Sequence, residues 1–122
     1  SPGGNDILNG SVAYAQIISN INEIIDLMQA ANPDITIIIA QPAPGMSSFM
    51  TPEFTTAFNN IQQDVLAITA QQSTSTSEVI AVDMFTDFVD SFLADEVHYN
   101  QAGAKFIADR YYPVLTDVLK LN

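Results

Sequence analysis

Two short runs of β-branched residues constrain this chain more than any other feature of its sequence. Residues 35–41 (ITIIIAQ) and 78–84 (EVIAVDM) are apolar on successive positions, not on alternate ones. A strand of that kind is buried on both faces, as in a parallel sheet covered by helices. Parallel neighbours need a crossover of a dozen residues or more. The intervening stretch supplies one, because Phe54, Phe58, Ile61, Val65 and Ile68 recur at helical spacing up to about residue 71. Thr51-Pro52 marks its start, with a capping hydroxyl followed by proline at the first helical position.

Helices are expected on both sides of this unit. Over residues 11–31, Ile17, Ile21, Ile24, Ile25 and Met28 form one apolar stripe, with Asn9 or Ser11 as candidate cap and Asn32-Pro33 as the stop. A short helix fits residues 86–93. A longer one fits 100–121, capped by Asn100 and kinked or restarted at Pro113. Alternation of helix and strand predicts right-handed crossovers and a parallel sheet between helix layers. Two strands make a small sheet with long bare edges, so the pattern reads as part of an open α/β sheet whose other strands lie elsewhere.

Composition narrows the functional classes. The 122 residues are 48% apolar and include no cysteine, which excludes a disulfide scaffold and a thiolate metal site. Fourteen acids face three bases, Lys105, Arg110 and Lys120, for a net charge of −11. So negative a chain is a poor partner for nucleic acid or anionic membranes. No apolar run is long enough to span a bilayer, which takes about 18 residues.

Two segments carry candidate chemistry, and both fall in loops expected at the carboxyl ends of strands, where open α/β sheets place their sites. The first is Gly3-Gly4-Asn5-Asp6. Paired glycines allow close approach of the backbone, and an asparagine amide can donate to an oxyanion, although the same residues also make ordinary turns. The second is Asp95-Glu96-Val97-His98, which holds the chain's one histidine. A carboxylate three residues ahead can accept one imidazole proton and leave the other nitrogen as a general base; the plain alternative is a surface histidine among acids. One histidine with nearby carboxylates lacks the ligand count of a zinc site, so no metal or other cofactor is expected. Asp83, Asp87 and Asp90 read as a solvated loop and helix face. Phe49, Met50 and Phe54 offer either an acyl pocket or, on residue statistics, core packing.

In that order the two motifs resemble the SGNH (GDSL-type) serine ester hydrolases. Gly3, Asn5 and Asp6 match the Gly-x-Asn-Asp block of that family, and Asp95 and His98 match its Asp-x-x-His block. The following His98-Tyr99-Asn100-Gln101-Ala102-Gly103 is similar to a sequence frequent in the family, and residues 35–44 resemble the strand and proline loop between the blocks. The resemblance spans essentially all of residues 1–122 and implies the C-terminal portion of one domain, a flavodoxin-like three-layer α/β/α sandwich with a parallel sheet. It also implies roles. Asn5 donates to the oxyanion hole, which Gly3 helps to shape; His98 is the general base; Asp95 orients it. The implied substrate is a carboxylic ester of a small molecule or an acetylated carbohydrate, with a secreted or periplasmic location.

The match is incomplete. The family's nucleophile sits in a Gly-Asp-Ser block, and a second block adds a glycine amide to the oxyanion hole. Neither is in this sequence, and no serine follows Gly-Asp. Ser47 and Ser48 are the serines in a loop expected at the site's edge. The resemblance therefore implies a fragment that needs a complementary N-terminal segment bearing the serine. Two other readings stay open: a catalytically inactive binding or assembly module on the same scaffold, and a small acidic protein that binds divalent cations.

Overall fold

The structure, a computed structural model, describes residues 3–10 and 12–120. Its elements follow in the order α1 (Gly4–Asn9), α2 (Tyr14–Ala31), β1 (Ile37–Gln41), α3 (Pro52–Gln72), β2 (Val79–Asp83), a 3-10 turn (Asp90–Phe92) and α4 (Gln101–Val118). β1 and β2 pair in parallel, with Ile37 opposite Val79 and Gln41 opposite Asp83.

Successive side chains of a strand point to opposite faces, and here each face has its own helices. Ile37, Ile39 and Val79 pack with Ile17, Ile21 and Ile25 of α2 and with Phe58, Ile61, Val65 and Ile68 of α3. Ala40, Val82 and Met84 form a cluster on the other side, against which Ile38 and Ile107, Tyr111 and Val114 of α4 pack. Helices thus cover both faces of a parallel sheet, as the double-sided apolar runs require. Two glutamines close the carboxyl end of β1. Gln41 Nε2 donates to the Gln62 carbonyl at 3.0 Å, and Gln62 Nε2 donates to the carbonyls of Pro42 (3.2 Å) and Phe58 (2.9 Å).

Helix ends explain most departures from expectation. α3 starts where its residues predict, with Thr51 Oγ1 accepting the Phe54 N–H at 3.1 Å. α2 begins at Tyr14, not at residue 11; its N-cap is Ala13, which offers no side-chain acceptor. Asn9 instead ends α1, and Ser11 lies outside the described residues. Ile24, placed in the buried stripe by its spacing, is 52% exposed. β1 starts at Ile37 because the Ile35 carbonyl is taken by Ser77 Oγ at 2.6 Å. No helix forms over 86–93 beyond the 3-10 turn. There Asp83 Oδ1 ties down the N–H groups of Phe85 and Thr86, both at 2.8 Å, and Asp87 takes a left-handed φ of 67° that no α-helix accommodates. Pro113 lies inside α4 without ending it.

Candidate active site

Both sequence-marked segments sit at the carboxyl end of the sheet. Gly3-Gly4-Asn5-Asp6 is not the loop expected from its composition. It is the start of α1, a helix of six residues held between two left-handed glycines, Gly3 (φ 85°) and Gly10 (φ 66°). The Gly10 N–H donates back to the Asp6 and Ile7 carbonyls at 3.2 and 3.1 Å. This glycine bracket orients the first turn, and Asn5 is exposed on it.

Asp95 and His98 lie on a loop that leaves the 3-10 turn and folds back on itself. Leu93 and Tyr99 form an isolated antiparallel bridge at its base, and the Ala94 N–H donates to the His98 carbonyl at 2.7 Å. Inside the loop, Asp95 Oδ1 accepts the backbone N–H of Val97 at 2.9 Å and of His98 at 2.7 Å. This is the local side-chain-to-backbone pattern that makes aspartate a turn residue. Its other oxygen, Oδ2, lies 2.8 Å from His98 Nδ1. These hydrogen bonds, the Val97 and His98 amides first and then the imidazole, hold the Asp95 carboxyl down at about 2. With a carboxylate at Nδ1, the neutral ring carries its proton there and leaves Nε2 as an acceptor. The His98 side chain is 77% exposed, so that nitrogen is open to whatever enters the cleft.

The loop's tip is fastened as well. The Met46 N–H donates to the Glu96 carbonyl at 2.8 Å, and a Cβ on Gly45 would stand 3.2 Å from that oxygen. The loop after β1 therefore packs tightly against the histidine loop.

Asn5 and His98, far apart in sequence, line one cleft of about 240 Å3 together with Gly4, Leu8, Pro44 and Tyr99. An amide donor and an imidazole base facing a common space can stabilise an oxyanion and move a proton on the same reacting group. Gly3 is not in the cleft wall. It is buried against α2 and α3, where a Cβ would meet Ile61 Cδ1 at 2.7 Å and Ile17 Cγ2 at 3.0 Å; Gly4 is the glycine beside Asn5. Among the described residues, none of those lining this cleft is a serine. Ser47 faces a neighbouring cleft of about 470 Å3, and its hydroxyl donates to Asp90 Oδ1 at 2.9 Å. The acids 83, 87 and 90 are thus engaged: Asp90 also accepts the Ser47 N–H, and Asp87 lies 3.5 Å from Arg110. Met50 lines that second cleft and, like Phe54, packs against the main core, and the rings of Phe49 and Phe54 lie 5.8 Å apart.

What spacing did not reveal was how the loop is held, since the Met46–Glu96 and Ser47–Asp90 ties join segments with no sequence signature. Among the described residues no three metal-ligating side chains converge, and no helix is long and apolar enough to cross a membrane.

No protein-family model and no curated protein matches the chain. Solved structures do, and two of them are esterases. One is a carbohydrate esterase family 3 protein from Talaromyces cellulolyticus, and the other is a serine-to-alanine mutant of an acetyl esterase with acetate ion. Each is 27% identical to this chain, with a TM-score of 0.84 over 97% of it. The chain spans 56% of the length of each. Its mixed α/β architecture with a parallel sheet is that of these esterases.

Proposed function

We propose that the chain is the base-bearing part of a serine esterase that removes acetyl groups, with acetylated carbohydrate as the substrate class. The observation that carries this reading is the convergence of Asn5 and His98 on one cleft, with Asp95 behind the imidazole, on a scaffold shared with a carbohydrate esterase and an acetyl esterase. The nucleophilic serine comes from a complementary N-terminal segment. That reading is supported by the aligned esterases, which extend well beyond the matched part. A base and an oxyanion donor without a nucleophile cannot form an acyl-enzyme.

The serine oxygen attacks the acetyl carbonyl while His98 Nε2 takes its proton. Charge develops on the carbonyl oxygen and is met by the Asn5 amide. The tetrahedral intermediate collapses, the C–O bond to the alcohol breaks, and His98 returns the proton to the departing oxygen. Water then attacks the acetyl-enzyme, again losing a proton to His98, and acetate and free serine are released. Asp95 keeps the proton of the neutral ring on Nδ1 and stabilises the imidazolium that forms in each half.

The decisive experiment joins this chain to the segment encoded upstream and measures hydrolysis of p-nitrophenyl acetate. Activity that appears on joining and disappears with the serine of a Gly-Asp-Ser block supports the assignment. An upstream sequence without such a block, and a joined protein without activity, would favour an inactive binding or assembly module.

A further inference from the structure

One side chain, two residues past the imidazole, reinforces the backbone closure at the base of the histidine loop. Asn100 Nδ2 donates to the Ser91 carbonyl at 2.7 Å and to the Leu93 carbonyl at 3.3 Å, both on the limb that enters the loop. Its backbone N–H donates to the Phe92 carbonyl at 2.9 Å. Its Oδ1 accepts the Gly103 N–H at 3.0 Å and so caps α4. The two ends of one amide thus do separate things. The oxygen belongs to the helix; the nitrogen belongs to the loop.

Gly103 makes this junction possible. A Cβ there would lie 2.1 Å from the Phe92 carbonyl oxygen and 3.1 Å from its carbon, so the first turn of α4 presses its bare backbone on the entering limb. The ring of Phe92 then packs on Phe106 of α4 at 5.0 Å. Helix capping alone would not select asparagine, because serine or aspartate supplies the oxygen as well. Only the amide also offers two N–H donors, one for each carbonyl, where a serine hydroxyl has a single proton and a carboxylate none.

We propose that Asn100 is a positioning residue for the general base: its Nδ2 reinforces the closure of the loop over residues 94–99, so that the imidazole of His98 faces the cleft it shares with Asn5. This rests on the esterase reading, which gives the direction of the imidazole its catalytic meaning.

The test separates the two ends of the amide. Asn100→Ser and Asn100→Asp keep a cap for α4 and lose the pair of donors; Asn100→Ala loses both. In the protein joined to its upstream segment, the serine and aspartate variants should retain helix content and melt within a few degrees of the parent. Their Asp95 carboxyl, followed by 13C NMR, should titrate upward toward the ordinary carboxylate range as the loop opens. In the joined enzyme, kcat for p-nitrophenyl acetate should fall about 100-fold with KM nearly unchanged, the usual penalty for misplacing a catalytic group by about 1 Å. If the serine variant keeps both the parental Asp95 titration and the parental kcat, Asn100 is only a cap and the proposal is wrong. If both capping variants melt as low as Asn100→Ala, the amide holds the fold and not the loop, which also overturns it. Failure of the esterase reading shows separately: the NMR shifts would appear while His98→Ala left the joined protein's activity intact.

Discussion

His98 Nδ1 lies 2.8 Å from Asp95 Oδ2, and Oδ1 of the same carboxylate receives the His98 backbone N–H at 2.7 Å. The acid therefore grips the base by ring and main chain together. Its depressed pKa, about 2, owes more to the Val97 and His98 amides than to the imidazole. A carboxyl whose folded pKa lies below its unfolded value, about 3.9, favours the folded loop fully above that value and loses the effect as pH falls through the folded pKa. The loop should thus hold down to about pH 4 and open toward about pH 2. His98→Ala should leave the Asp95 titration still well below the ordinary range, because both amides remain. A 13C carboxyl titration that returns to normal in that variant would show that the imidazole dominates instead.

In the joined enzyme, His98→Ala should lower kcat by about 10^6-fold, and Asp95→Ala by about 10^4-fold, by the precedent of serine hydrolase triads. In the proposed mechanism the base transfers the proton, whereas the acid only orients it and steadies its charge. Turnover of p-nitrophenyl acetate at the parental rate by His98→Ala would remove His98 from the mechanism.

Asn5→Ala should cost about 3 kcal/mol of transition-state stabilisation, roughly a 100-fold fall in kcat. The oxyanion exists only in the transition state and intermediate, so KM should move little. Steady-state kinetics decide this, and an effect confined to KM would make Asn5 a residue of ground-state binding or of the α1 turn.

Gly3 and Gly10 both have left-handed backbones but different surroundings. A Cβ at Gly3 meets Ile61 at 2.7 Å, whereas at Gly10 nothing among the described residues lies within 4 Å. Gly10→Ala should therefore show backbone strain alone, about 1 kcal/mol. Gly3→Ala adds overpacking of about 1–3 kcal/mol. Thermal or urea melts of the two variants should rank them in that order; equal losses would mean that the contact with Ile61 relaxes freely.

Much of this was legible in the sequence, for identifiable reasons. Residues 37–41 and 79–83 declared a parallel pair because unbroken apolar runs have no solvent face to offer. Thr51 and Asn100 declared caps because a helix start leaves N–H groups that a side-chain oxygen three residues earlier can meet. Asp95 and His98 were close enough in sequence for spacing to imply contact. Asn5 was different: its meeting with His98 depends on how α1 docks on α2 and α3, which no local pattern encodes. The helix at Gly4–Asn9 was hidden because glycines that usually signal turns serve here as its two ends. Asp90 is exposed, as a solvated acid should be, but its hydrogen bonds with Ser47 were hidden because that partner lies in another loop.

The remaining prediction concerns the open side of the sheet. Among the described residues β1 pairs only with β2, so its other edge carries unpaired N–H and C=O groups. Along that side runs an almost wholly apolar groove of about 140 Å3, formed by Ile21, Ile24, Ile25 and Met28 of α2 against residues 37–39. Ile24 and Leu27 stand 52% and 63% exposed on the same helix. An apolar groove beside a bare strand edge is a template for another chain. The net charge of −11 opposes contact between copies, but salt screens it over about 10 Å at 0.1 M and about 3 Å at 1 M. The 122-residue chain on its own should therefore self-associate, increasingly as salt is raised, and Ile24→Glu should suppress this by placing a charge in the groove. Light scattering across a salt series, paired with melts at several concentrations, decides it. A monomer at high salt with a cooperative, concentration-independent melt would show that the edge needs no cover, and the case for a complementary segment would lose this support.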